Sequence, residues 1–186
     1  MAFIQELEHI SPEIISLATA RKQLQLESDF TEDDALISTY IDAAISEAEH
    51  FINSEISEKK FKVQGKSFSD AMAFNKQILQ SVESVKYTPV TGVEATIDVA
   101  NYSIVNVDKY ENQIEFSEDF VYPEVKPYTA TAVQIEFTVG YPEGKVPKAM
   151  QKALLLMISE SYEFRTDTVK EKSTAAENTL RKFRRY

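Results

Sequence analysis

The sequence has no cysteine. That excludes disulfides, cysteine-ligated zinc and thiol nucleophiles. It has two histidines, His9 and His50, far apart in the chain, so a histidine-rich metal site is also excluded. Carboxylates alone can still hold a hard cation. Glycine is scarce, with four residues in 186. None of them forms the Gly-rich loops that cradle nucleotide phosphates, and there is no Gly-x-Ser-x-Gly elbow for a serine nucleophile. Long apolar runs are missing too. "ALLLMI" falls far short of the roughly 20 residues that span a bilayer. The N-terminal "MAFIQELEHISPEIIS" has no basic region ahead of an apolar run and does not read as a signal peptide.

What is present is a core and an uneven charge. Hydrophobic residues make up 43% of the chain, enough for a folded domain. The net charge is −10. Residues 1–60 hold 13 acidic against 4 basic side chains, whereas residues 165–186 hold 7 basic against 3 acidic. An acidic body with a basic end suits head-to-tail electrostatics between copies, or a tail gripping an acidic partner. A solvated surface with a loose end explains the same charges.

Along the chain, residues 1–16 read as an N-terminal arm. Ile4, Leu7, Ile10, Ile14 and Ile15 are too apolar for a purely solvated segment, and Pro12 interrupts any helix. "SLATARKQLQL" (16–26) reads as a short helix. A longer one is predicted over 31–56, with Thr31 as N-cap, Asp34 three residues later in a capping-box-like start, and Glu32 and Asp33 in its first turn. Its apolar stripe runs through Ile37, Ile41, Ala44, Ile45, Ala48, Phe51, Ile52 and Ile56. From Lys59 the period changes. "KKFKVQGKSF", "SVESVKYTPVTGVEATIDVANYSIVN", "NQIEF" and "TAVQIEFTVGY" read as strands, and in the last of these Val133, Ile135, Phe137 and Val139 alternate with polar residues. A helix from Pro147 to Glu163 or Arg165 follows, with Met150, Ala153, Leu154, Met157, Ile158 and Ser161 on one face. Leu155 and Leu156 add a second apolar row, so burial on most sides is expected. Thr174 and Glu177 form a capping-box pattern before "LRKFRRY".

The expected fold is therefore α+β: a helical bundle of two N-terminal and further C-terminal helices, with an inserted antiparallel β-sheet. The parts are 1–16 (arm), 17–58 (helical), 59–142 (β-rich insertion) and 143–186 (C-terminal helices and basic tail).

Candidate chemistry is sparse. Asp42, Glu47, Glu49 and His50 share one helix, and Glu47 with His50 has the Glu-x-x-His spacing of di-iron bundles. Those sites repeat the motif on a second helix, and no second copy exists here, so a solvated acidic face is the better reading. A carboxylate-metal enzyme stays the weaker alternative. The basic end, Arg181, Lys182, Arg184 and Arg185 with Leu180, Phe183 and Tyr186, offers phosphate contacts or docking on an acidic protein. The acidic body favours protein docking.

The stretch from Ala20 to Asn53 resembles the N-terminal signature of bacteriophage head–tail connector proteins, also called adaptor or head-completion proteins. Leu24, Asp33, Asp34, Ile37, Ile41, Ala44, Ala48 and Ile52 carry the match. A second block, Val133 to Arg165, matches at Gly140, Tyr141, Val146, Pro147, Ala149, Ala153, Leu156, Tyr162, Glu163 and Arg165. The end is similar at Leu180, Phe183 and Arg184. The central strands resemble the β-insertion of longer members. The resemblance implies a structural virion protein with no catalysis, cofactor or metal. It implies a ring of roughly a dozen copies at the virion neck, by analogy with closed cyclic assemblies. The implied partners are the portal, neighbouring copies, a downstream neck or tail protein, and DNA passing without specific binding; no membrane is involved. Residues 180–186 are the expected portal-docking tail, and Tyr162, Glu163 and Arg165 belong to a core or interface helix. Other neck or tail-completion roles, and an acidic DNA mimic, are the competing readings.

Overall fold

The computed structural model describes residues 2–10, 13–27, 29–72, 78–107, 112–164 and 174–185. The chain folds into two units. One comprises Met1–Ser11 and Ser57–Tyr141, the other Pro12–Ile56 and Pro142–Tyr186.

The first unit is built on a five-stranded antiparallel sheet. Its strands are β1 (Phe3–His9), β2 (Lys59–Gly65), β3 (Leu79–Tyr87), β4 (Ala95–Thr96) and β7 (Val133–Val139), in the order β1-β2-β7-β3-β4. A hairpin of β5 (Tyr102–Asn106) and β6 (Asn112–Phe116) forms a second sheet, and α3 (Phe68–Ala71) is a single turn. Alternation in β7 sends Val133, Ile135, Phe137 and Val139 to one buried face. Val63 of β2 and Val85 of β3 pair with Ile135 on that face. Phe68, Ala71 and Ile114 complete the core.

Strand β3 carries apolar residues at Leu79, Val82 and Val85, a spacing of three rather than two. Two bulges, between Leu79 and Ser81 and between Val82 and Ser84, absorb the extra residues. They return all three side chains to the core face, opposite Val139, Phe137 and Ile135. The other face of the sheet is polar. Glu136 lies between Lys60 and Lys62, at 3.9 and 3.5 Å. Gln64 donates to Gln134 at 3.2 Å, and the Thr138 hydroxyl donates to Glu83 at 2.8 Å.

The sheet's two edges differ. Asn112 closes the outer edge of β3 like a strand residue: its Oδ1 accepts from the Leu79 amide at 2.6 Å, and its Nδ2 donates to the Leu79 carbonyl at 2.7 Å. The Ile97 amide donates to the Val85 carbonyl at 2.8 Å further along. At the opposite edge, all seven residues of β1 are exposed. The sequence reading placed residues 3–9 in an arm. They are an edge strand instead, held by backbone pairing to β2 rather than by buried side chains.

Gly140 ends β7 with φ +97°, and a Cβ there would lie 2.0 Å from the Ser57 carbonyl oxygen. Only glycine allows both that backbone conformation and that approach.

The second unit is helical, with α1 (Leu17–Gln23), α2 (Asp34–Ile52), α4 (Lys148–Glu163) and α5 (Ala175–Leu180). Ser16 caps α1 by accepting from the Thr19 amide at 3.2 Å. α2 buries Ile37, Ile41, Ala44, Ala48 and Ile52, the core of the expected stripe; Ile45 and Phe51 are half-buried. It ends at Asn53, in the left-handed conformation. The Glu49 carboxylate then accepts from the Ile56 amide at 2.9 Å.

The expected N-cap at Thr31 is not used. α2 begins at Asp34 with Asp33 before it, and the Asp33 side chain caps nothing. Both carboxylates are engaged in tertiary bonds, as described below. α4 starts directly after Pro147, where a missing amide costs nothing. It packs on α2 and α5 and buries Met150, Ala153, Leu154, Met157 and Ile158. Leu155 and Leu156 are half-buried and only Lys148, Lys152 and Glu163 of the helix are exposed, so it is covered on most sides as expected, with full burial confined to one face. α5 has the expected capping box: Thr174 Oγ1 accepts from the Glu177 amide at 3.1 Å, and Glu177 Oε2 accepts from the Thr174 amide at 3.0 Å.

Candidate functional site

In the helical unit, α5 and the 3-10 turn Arg181–Phe183 position the basic end. Leu180 and Phe183 are 1% and 5% exposed, so they anchor the segment inside the unit. Neither is available to a partner. Arg181, Lys182 and Arg184 are exposed. The Arg184 guanidinium sits 5.6 Å from the Phe51 ring centroid, and Lys182 Nζ lies 5.3 Å from that of Phe183. The Arg185 amide donates to the Ile52 carbonyl at 2.8 Å, stitching the end of the chain to the end of α2. The expected tail is thus a fixed ledge of three cations on a buried apolar footing. Tyr186 lies outside the described residues.

The C-terminal end of α4 is tied to the start of α2. The Tyr162 hydroxyl donates to Asp33 Oδ2 at 2.6 Å. Beside it, Arg21 Nη1 bonds Asp34 Oδ2 at 3.2 Å. Arg21 Nη2 donates to the carbonyl oxygens of Glu27, at 2.9 Å, and Phe30. One guanidinium therefore organises the whole polar break between α1 and α2. The sequence reading missed Arg21. Its only signal was its place one helical turn before a run of carboxylates and carbonyls that needed donors. Glu163 is exposed, and Phe164 after it is 57% exposed. Arg165 lies outside the described residues.

Among the described residues no catalytic constellation emerges. Asp42, Glu47 and His50 are exposed on α2, while Glu49 serves its own chain turn. Among the described residues no group of three or more His, Asp or Glu is placed to hold a metal ion, and no helix is long and apolar enough to cross a membrane. In the β unit, the surroundings of Tyr102 favour its neutral phenol. Burial, then the charges of Asp98 and Glu83, raise the Tyr102 phenol above its ordinary value of 10.0. Tyr102 belongs to an aromatic cluster with Phe116, Phe120, Tyr122 and Phe68, in which Phe116 and Phe120 stack at 4.7 Å. That cluster is packing, not a site.

Several solved structures share the fold. A chain in the neck of an empty gene transfer agent (GTA) particle, computed with C6 symmetry, superposes with a TM-score of 0.76 at 19% identity, over 98% of this chain and 95% of that one. A chain from the virion of a native GTA particle gives 0.73 at 18%, over 98% and 95%. One from the neck of the native particle, computed with C12 symmetry, gives 0.72 at 18%, over 98% and 94%. At such identities the likeness establishes the fold. Curated protein sequences give no significant match. The family model for the phage gp6-like head-tail connector protein matches residues 14–120, more than half of the sequence. The chain belongs to that family.

Proposed function

We propose that the protein is one copy of a closed ring below the portal, where it extends the DNA channel and presents a platform to the next neck or tail protein. The observation that carries this reading is near-complete coverage, in both directions, against a chain of a GTA particle neck, in a sequence whose own family is head-tail connectors. The work of such a ring is symmetric binding. The acidic body fits the role of a channel wall. Phosphates adhere to cations, and a wall with a large excess of carboxylates lets DNA slide. A ring whose lumen is lined by Lys and Arg contradicts this part.

The ledge of Arg181, Lys182 and Arg184 is the proposed portal contact. Deleting residues 174–186 is a poor test, because it also removes the buried Leu180 and Phe183. Reversing the three exposed cations to Glu keeps Leu180 and Phe183 in place and gives up the Arg184–Phe51 contact. Surface changes of this kind shift stability by only about 0.5 kcal/mol. Binding to purified portal should fall at least tenfold while the melting temperature stays within a few degrees. Unchanged portal binding overturns the contact. Capture of a tail protein instead of the portal assigns the chain to another position in the neck.

A further inference from the structure

Among the described residues, the helical unit shows one hollow lined mainly by apolar side chains and another lined mainly by polar ones. The first, about 500 Å³, is lined by Leu17, Ala18, Arg21, Lys22 and Leu26. The Arg21 guanidinium is already engaged by Asp34, Glu27 and Phe30. Its outward charge is therefore that of Lys22, which is exposed beside the exposed Ala18. The second, about 650 Å³, lies where the chain leaving α1 meets the last turns of α4. Leu24, Leu156, Glu160, Glu163 and Phe164 line it. Its rim bears a protruding aromatic ring, Phe164, and an exposed carboxylate, Glu163. One surface is an apolar socket with a cation; the other is an aromatic knob with an anion.

From this complementarity we infer the contact between copies. Phe164 of one copy seats in the socket formed by Leu17, Ala18 and Leu26 of the next, and Glu163 pairs with Lys22 across the boundary. The two patches differ, so the contact is head-to-tail, and repetition of a head-to-tail contact closes into a ring when the rotation permits. A large aromatic in a desolvated pocket is the usual anchor of such contacts, with a rim charge pair fixing orientation. The Tyr162–Asp33 bond has a role here. It fixes the end of α4 to α2 and so holds Phe164 and Glu163 in a constant direction. This inference rests on the ring reading and names the surface that makes the ring.

The absence of cysteine makes the test direct. Full-length Lys22→Cys and Glu163→Cys chains, which keep Phe164 and its socket, are mixed at high concentration and oxidised. The covalent heterodimer should exceed that from a control pair, Lys22→Cys with Ala43→Cys, by about tenfold, equivalent to ~1.4 kcal/mol. In wild-type background, Lys22→Glu or Glu163→Lys alone should lower the oligomeric fraction seen by light scattering, and both changes in one chain should restore it. Folding is checked by circular dichroism, and rescue by the double variant excludes misfolding as the cause. A heterodimer yield no higher than the control overturns the interface. If rings still form in that case, the connector reading stands and the contact lies elsewhere. If no rings form under any condition, on portal or in solution, the ring reading falls as well.

Discussion

The two units of the molecule are held together by different means. The β unit relies on backbone devices: ladders, two bulges in β3, a side chain that mimics a strand at Asn112, and one glycine pressed against the Ser57 carbonyl. The helical unit relies on side-chain stripes, caps and a few polar ties, chiefly Arg21 to Asp34 and Tyr162 to Asp33. The first kind tolerates no shift of backbone. The second leaves a surface of half-covered leucines and exposed charge that can change without unfolding the chain. The difference supports the proposed roles: the β unit keeps its shape by strict local geometry, and the helical unit is the one we propose as the contact surface for copies and partners.

The sharpest way to break the comparison is Gly140→Ala. Its Cβ would lie 2.0 Å from the Ser57 oxygen, in a backbone conformation with φ +97°. We expect a loss of about 3 kcal/mol or more, from overpacking together with left-handed strain. Urea unfolding measures it. A loss under 1 kcal/mol, on the order of an ordinary surface change, shows that the backbone there is softer than described.

Next in size is Leu180→Ala. Leu180 is 1% exposed, and truncation of such a leucine costs about 2–5 kcal/mol. The same unfolding experiment checks it. A neutral result would mean that the basic end is a detachable tail after all.

Tyr162→Phe removes one bond to an ionised carboxylate and should cost about 1.5 kcal/mol. It should also weaken oligomer formation, because the end of α4 loses its tether. Loss of stability with unchanged assembly would limit the tether to a folding role.

The smallest effect is titration. Burial, Asp98 and Glu83 favour the neutral Tyr102 phenol in the folded state, so its pKa is raised. Its contribution is complete below its ordinary value of 10.0 and is lost as pH rises through the higher folded value. Stability should therefore fall more steeply above pH 10 in the wild type than in Tyr102→Phe. Parallel melting curves against pH decide it; identical slopes contradict the assignment.

The helical unit was largely legible because its information is periodic. Ile37, Ile41, Ala44, Ala48 and Ile52 announce a face, and Thr174 with Glu177 announces a start. The β unit was legible where period two held, as in Val133 to Val139. It was hidden where bulges broke the period, at Leu79, Val82 and Val85. β1 escaped because a strand held by its backbone needs no buried side chain, so Phe3, Ile4 and Leu7 gave no face to read. At the candidate site, the charge of the basic end was plain, but the division of labour within it was not. Leu180 and Phe183 turn inward because they continue the apolar stripe begun at Ala176, leaving only Arg181, Lys182 and Arg184 outside. Asp33 and Asp34 read as helix-start anions, and only tertiary structure gives them Tyr162 and Arg21 as partners.

The central claim is that this chain works as a ring in the neck. Cryo-electron microscopy of purified particles carrying it tests this most directly. We expect a closed ring of this chain directly below the portal, with the exposed cations of Arg181, Lys182 and Arg184 facing it. Particles in which the chain is absent from the neck, or present there as isolated copies without ring closure, would contradict the account.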